Sequence, residues 1–343
     1  MNAIINPNWQ DAFVQVFGLC KMHEDEVIVI LSEQGSRPDN IALAKAALTQ
    51  MGLGYFQINV PSPLGEHGPI IRSSGACLAL DAHPAAVKSL THADVILDMT
   101  VEGLMHAKQT GSLLQSGARI LNIANEHPEI LARLIPTPDI KDRVKDAAKR
   151  CKMAHEMTVT SAAGTDLRVD MRGASNVGVW GYTDRPGTLA HWPGGLVVSF
   201  PKAGTVNGQL VFAPGDMNLT FKRYFESTVT CTLDADYVTD IQGQGADALL
   251  MRDYYAGFND PLAYATSHVG WGLNPAARWE AMTMYDKSDL NGTELRALAG
   301  NFLYSTGANE FAGRFTKGHF DLPMMGCDIA LDGTLVVKKG QPV

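Results

Sequence analysis

The sequence predicts an α/β chain in two parts: an N-terminal Rossmann-like open parallel sheet over residues 1–140, then a strand-rich α+β part over residues 141–343. Three observations predict it. Short apolar, β-branched runs alternate with helix-like segments through the first third. Pro136 and Pro138 interrupt that alternation. Beyond them, strand-like runs follow one another between Gly, Asn and Pro. With 343 residues, 45% apolar and 19% charged, the chain can bury a sizeable core and divide into two domains.

The first strand-like runs are residues 27–31, 55–60, 94–100 and 119–123. Segments 40–51 and 103–115 carry apolar residues at three- and four-residue spacing and read as helices. Strands separated by helices pair in parallel, because successive parallel strands need a crossover connection. Such a sheet invites a nucleotide, but Gly52-Leu53-Gly54 precedes a strand rather than following one. No GxGxxG joins the first strand to its helix and no GxxxxGK[ST] loop occurs, so a dinucleotide site and phosphoryl transfer lose their support. Residues 139–157 read as one charged amphipathic helix. After it, residues 166–171, 195–200, 208–212 and 219–225 read as strands, and residues 246–258 and 275–285 as helices.

The formal net charge is -8 and no run of Lys or Arg is long enough to track a phosphate backbone, which argues against a nucleic-acid partner. The first eleven residues are polar, and no apolar stretch approaches the roughly 20 residues of a membrane span. A cytoplasmic protein with no membrane partner is expected, and a homo-oligomer, since closed homo-oligomers are common. Cys20, Cys77, Cys151, Cys231 and Cys327 are scattered and never spaced as CxxC, the pattern of reduced, packed thiols.

The chemistry is concentrated near the C-terminus. In Lys317-Gly318-His319-Phe320-Asp321, an extended backbone turns His319 and Asp321 to one face and Phe320 to the other, so the pair can chelate one ion. His268, followed by Gly270 and Gly272, offers a third ligand. Two imidazoles and a carboxylate make the facial triad of non-haem iron(II) oxygenases. The same HxD spacing also fits a surface ion pair. Mixed nitrogen and oxygen donors disfavour calcium, magnesium and structural zinc, leaving iron(II), manganese(II) and catalytic zinc.

On these residues the sequence resembles the 2,5-dihydroxypyridine 5,6-dioxygenases of bacterial nicotinate breakdown and, behind them, the fold of thermophilic metalloaminopeptidases. The resemblance runs through Gly164-Thr165-Asp166-Leu167, His191-Trp192-Pro193-Gly194-Gly195, the stretch after His268 and the HxD. The aminopeptidases carry Glu in a Pro-x-Gly-Glu segment, where this chain has Leu196. They carry another Glu where it has His268, and a further His in the segment that here reads Gly300-Asn301-Phe302-Leu303-Tyr304-Ser305. The resemblance therefore implies one Fe(II) on His268, His319 and Asp321. The implied substrates are a small aromatic N-heterocycle, 2,5-dihydroxypyridine, and dioxygen, and with water the product is N-formylmaleamate.

Such a reaction needs an acid/base group, and His191 and His106 are the candidates. His191 lies in a segment whose Pro and Gly read as a shaped loop. His106 follows a strand end, where ligands of open α/β sheets collect. Each has a plainer reading: His191 as a loop residue bonded to backbone, His106 as an exposed first-turn helix residue. Ser305 is a substrate-binding candidate that fits a helix cap equally well. Trp271 and Phe320 can pack beside a planar ring or simply in the core. His23, His67, His83, His92, His127 and His155 receive no role. The alternatives to the dioxygenase are a metalloaminopeptidase-like hydrolase and a non-catalytic small-molecule binding protein.

Overall fold

The computed structural model describes residues 6–63 and 75–343; His67 lies outside them. Five parallel strands run in the spatial order Tyr55–Val60, Ile28–Glu33, Val95–Asp98, Arg119–Ile123 and Leu189–Trp192. All six residues of Ile28–Glu33 are buried, as a strand covered on both faces requires. Its alternate side chains enter two cores. Ile28 and Ile30 meet Phe13 and Phe17 of helix Pro7–Leu19 and Leu43 and Leu48 of helix Pro38–Gln50, while Val29 and Leu31 meet Leu80, Leu90 and Leu113.

At the carboxyl ends of these strands the register aligns Asp98 with Asn122 and Asn122 with His191. His191 therefore stands on the fifth strand, not in a loop. The Pro and Gly that signalled a loop begin just after it. The helix expected over residues 103–115 also starts late, as Thr110–Gln115. The buried Asp98 carboxylate accepts bonds from the Thr100 and Leu104 amides, and Gly103 at φ 81° lies so close to Asn122 that a Cβ would sit 2.2 Å from Nδ2. These contacts hold residues 100–106 as a looped approach to His106.

Beyond the parallel sheet lie two large antiparallel sheets on a shared core and a separate two-stranded one, Met217–Asn218 with Arg223–Tyr224. The larger has eight strands, in the order Tyr237–Gln242, Val229–Asp234, Val206–Phe212, Asp166–Asp170, Glu156–Thr160, Asp328–Leu331, Thr334–Lys338 and Gln341–Pro342. The smaller runs Arg314–Met324, Phe302–Asn309, Thr266–Gly272, Leu196–Phe200 and Ser175–Val179. One face of the smaller sheet sends Val269, Trp271, Phe302, Tyr304, Phe320 and Leu322 into the common core. Trp271 and Phe320 are thus packing residues, turned away from the opposite face that carries the site. All five cysteines are free and buried, and burial pushes thiols such as Cys231 up to about 12.

Three further expectations differ in extent. The helix predicted over residues 139–157 ends at Met153, because the Asp332 carboxylate takes the His155 and Glu156 amides and starts a strand there. Residues 219–225 are mostly a turn between the two-residue strands Met217–Asn218 and Arg223–Tyr224, with Asn218 Oδ1 accepting from the Phe221 amide. Only Ala281–Met284 of the helix expected over 275–285 is helical, since the Ala276 and Arg278 amides are taken by the side chains of Asn274 and Glu294. Among the described residues no helix is long and apolar enough to cross a membrane.

Candidate active site

Cross-strand register builds the site. His268 pairs with Ser305, and Ser305 pairs with Asp321, so the three side chains form a row across adjacent strands; His319 follows two residues from Asp321 on the same face. The extended backbone anticipated for the HxD is present as Arg314–Met324. Phe200 continues the row on the next strand, its ring centroid 5.3 Å from that of His268. Gly307 lies opposite His319 at φ 114°, and a Cβ there would come 2.1 Å from the Gly318 carbonyl oxygen. Close approach of the two strands beside His319 depends on that glycine.

His268, His319 and Asp321 are all buried. His319 Nε2 stands 3.3 Å from Asp321 Oδ2, and His268 Nε2 stands 3.6 Å from Oδ1. Ligand atoms about 2.1 Å from an ion and at right angles to one another are about 3 Å apart, so these separations slightly exceed those of a bound shell. Among the described residues no group of three or more His, Cys, Asp or Glu side chains is placed to hold a metal ion as it stands.

The tautomer of His268 follows from its neighbour. Ser267 Oγ donates to the Ala308 carbonyl at 2.5 Å, so towards His268 Nδ1, 3.2 Å away, it can only accept. Nδ1 therefore carries the proton. Burial pushes His268 down to about 3, with Asp321 only partly opposing, so the ring is neutral and Nε2 holds a bare lone pair. That lone pair faces a carboxylate oxygen at 3.6 Å, an arrangement of two acceptors that a cation between them satisfies. The donor set fits a divalent metal.

Asp321 is ionised. Burial alone would raise its pKa, but Arg296 first and then His319 hold it well below the carboxylate range. Arg296 Nε donates to Oδ2 at 2.5 Å, and Ser305 Oγ lies 2.6 Å from Oδ1 and 2.7 Å from the Phe320 carbonyl oxygen. Ser305 sits in mid-strand, not at a helix cap, and its hydroxyl is directed at the metal-ligand candidate.

His191 Nδ1 is 2.7 Å from the Pro193 carbonyl oxygen, which can only accept, so its free nitrogen is Nε2. Burial, with Arg296 adding to it, pushes His191 down to about 4 against the opposing effects of Pro193 and Asp321. His106 is neither helical nor exposed. Its side chain is 14% accessible, its Nδ1 lies 3.1 Å from Glu310 Oε1, and its ring centroid is 6.5 Å from that of His319. A cleft of about 180 Å³ opens here, bounded by Cys77, Leu78 and His106 on one side and Glu310, Phe315 and His319 on the other. That is below the roughly 300–1,000 Å³ of drug-sized sites and suits a single ring.

Sequence reasoning missed Arg296, Ser267, Glu310 and Phe200. Only Ser267 carried a signal, as a hydroxyl beside a proposed ligand; the others reach the site across 25 to 204 residues of chain.

The family described as 2,5-dihydroxypyridine 5,6-dioxygenase (NicX) matches residues 8–343. The chain belongs to that family. It is 35% identical over 345 residues to the 2,5-dihydroxypyridine 5,6-dioxygenase of Pseudomonas putida KT2440, with 99% of this chain and 97% of that one aligned. The solved structure of 2,5-dihydroxypyridine dioxygenase from the same strain superposes with a TM-score of 0.91 at 34% identity, covering 98% of this chain and 96% of that one. AmpT from Thermus thermophilus superposes with a TM-score of 0.66 at 13% identity over 98% and 99% of the two chains, a likeness of fold alone. The chain is thus an enzyme. Leu196 is packed among Val198, Phe200, Ala297 and Leu303.

Proposed function

We propose that the chain is a mononuclear iron(II) dioxygenase that opens 2,5-dihydroxypyridine between ring carbons 5 and 6, using dioxygen and water to give N-formylmaleamate in nicotinate breakdown. The observation that carries this reading is the convergence of two buried imidazoles, His268 and His319, on the ionised carboxylate of Asp321. Those three side chains would hold the iron(II), which would supply the binding and activation of dioxygen and of a substrate oxygen.

The protein's own groups do the rest. His191 accepts a ring hydroxyl proton at Nε2, the nitrogen left free by the Pro193 bond, and returns it later. Burial and Arg296 disfavour the resulting positive charge, which the Pro193 carbonyl and Asp321 offset only in part, so the ring holds that proton briefly. His106, held by Glu310, presents a second imidazole at the cleft beside His319. Ser305 and Arg296 fix the Asp321 carboxylate from two sides, which supports a positioning role for Ser305. Phe200 supplies apolar wall next to His268 and excludes water from it.

Alanine variants at His268, His319 and Asp321 test the ligand set. Each is expected to fold, to lose bound iron on reconstitution and to lose turnover. Wild-type iron content in any one of them removes that residue from the set.

A further inference from the structure

Glu126 lies just beyond the parallel strand Arg119–Ile123 and is completely buried, yet it touches none of the groups given a chemical role above. Its carboxylate is spent on the backbone of a distant segment. Oε2 accepts from the Asn291 amide at 2.8 Å, and Oε1 accepts from the Gly292 and Thr293 amides at 2.8 and 2.7 Å. These amides open the short helix Thr293–Ala297, where an anion is favoured by converging N–H groups. Gly292 makes the turn at φ 94°.

That helix carries Arg296, whose Nε donates to Asp321 and whose Nη1 lies 3.4 Å from Asn291 Oδ1. The segment is held from the parallel-sheet side at other points too. Arg133 makes two 2.9 Å bonds to the Glu294 carboxylate, Arg37 pairs with Asp289 at 2.8 Å, and the His127 amide donates to the Asp289 carbonyl at 2.8 Å. The parallel sheet also carries His191. One buried carboxylate therefore ties the sheet that bears His191 to the helix that grips Asp321.

We propose that Glu126 is a positioning residue for the reaction: by binding the amides of residues 291–293 it sets Arg296 on Asp321, in register with His191. The inference rests on the proposed reading that Arg296 and Asp321 belong to the active site. Charge is what the position requires, since four N–H groups converge on it, those of residues 291–293 and, at 3.5 Å, that of Glu294. In Glu126→Gln the amide NH2 turns a donor toward donors while the volume stays the same.

The test is a double-mutant cycle. Glu126→Gln, Arg296→Ala and the double variant are reconstituted with iron(II), and kcat/KM, thermal midpoint and Mn(II) affinity of the metal-free protein are measured for each. Glu126→Gln alone is expected to lose about 10- to 100-fold in kcat/KM, the scale of a small misplacement of reacting groups, and to bind Mn(II) more weakly. In the Arg296→Ala background the same substitution is expected to change neither quantity, although it lowers the thermal midpoint in both backgrounds. Losses that multiply would overturn the proposal alone, as would wild-type kcat/KM in a folded Glu126→Gln. Wild-type kcat/KM in Arg296→Ala would overturn it together with the reading beneath it. If Glu126→Gln does not fold, Arg133→Lys takes its place in the cycle, because it loosens the same helix through Glu294, and the same pattern is expected.

Discussion

Replacing Ser305 by Ala removes one hydroxyl and leaves the backbone pairing of its strand untouched. The hydroxyl has a single proton and two acceptors in reach, Asp321 Oδ1 at 2.6 Å and the Phe320 carbonyl at 2.7 Å. The anionic oxygen is the stronger acceptor, and the shorter distance is that of a charge-assisted O–H···O⁻ bond. A hydrogen bond to a charged group contributes about 1.5–3 kcal/mol. If that contribution goes into orienting the carboxylate toward the ion, its loss weakens metal binding by about 10- to 100-fold. The same range is typical when the outer partner of a metal ligand is removed. Arg296 still holds Oδ2, so the site is weakened rather than abolished. The assay is titration of metal-free protein with Mn(II), followed by disappearance of the free-ion EPR signal, with circular dichroism to verify the fold. A folded Ser305→Ala protein that binds Mn(II) as tightly as wild type would mean that the Ser305 hydroxyl does not orient Asp321 for the metal.

Two other substitutions probe the same face. His191→Gln is expected to keep iron but lose turnover, and wild-type kcat in that variant would end its acid/base role. It should also change the pH dependence of stability. His191 is pushed from 6.5 to about 4 in the folded chain, so between those values the unfolded chain binds a proton that the folded one does not. Stability therefore falls as pH drops from 6.5 toward 4, and at pH 4.5 the contribution lost is about 2–3 kcal/mol. Urea unfolding of the metal-free protein at pH 7 and pH 4.5 should show this extra loss in wild type and not in His191→Gln. An equal loss in both would mean that His191 is not the group responsible. Gly307→Ala combines a left-handed φ with a Cβ 2.1 Å from the Gly318 carbonyl oxygen and should destabilise by about 2 kcal/mol or more. An unchanged urea midpoint would show that the strands beside His319 can separate freely.

The parts of the site legible in the sequence are those set by local periodicity. His319 and Asp321 share a face because a strand repeats every two residues, and that could be read from five letters of sequence. The first four parallel strands were legible for a similar reason, being short β-branched runs separated by helical spacing. Register between distant strands was not. Ser305 bonds Asp321 because Phe302–Asn309 pairs with Arg314–Met324 in one register out of several, and a hydroxyl in a polar stretch looks like a helix cap until that register is known. His191 was mistaken for a loop residue because its strand is only four residues long and is completed by parallel pairing with residues about seventy positions earlier. The late start of the helix after residue 103 has a comparable origin. Its spacing is helical, but Asp98 takes two of the amides on its approach, a contact from outside the segment. Arg296 carried no motif, and its role depends on where the sheet puts Asp321.

Ring opening at an iron held by His268, His319 and Asp321 is open to one decisive experiment. Its most direct test is to load metal-free protein with iron(II) under anaerobic conditions, add 2,5-dihydroxypyridine, admit dioxygen, and follow oxygen uptake together with loss of the substrate's ultraviolet band. One dioxygen consumed per substrate and N-formylmaleamate as product are expected, with neither seen in Asp321→Ala. Oxygen uptake by the metal-free protein, or undiminished turnover in Asp321→Ala, would contradict it.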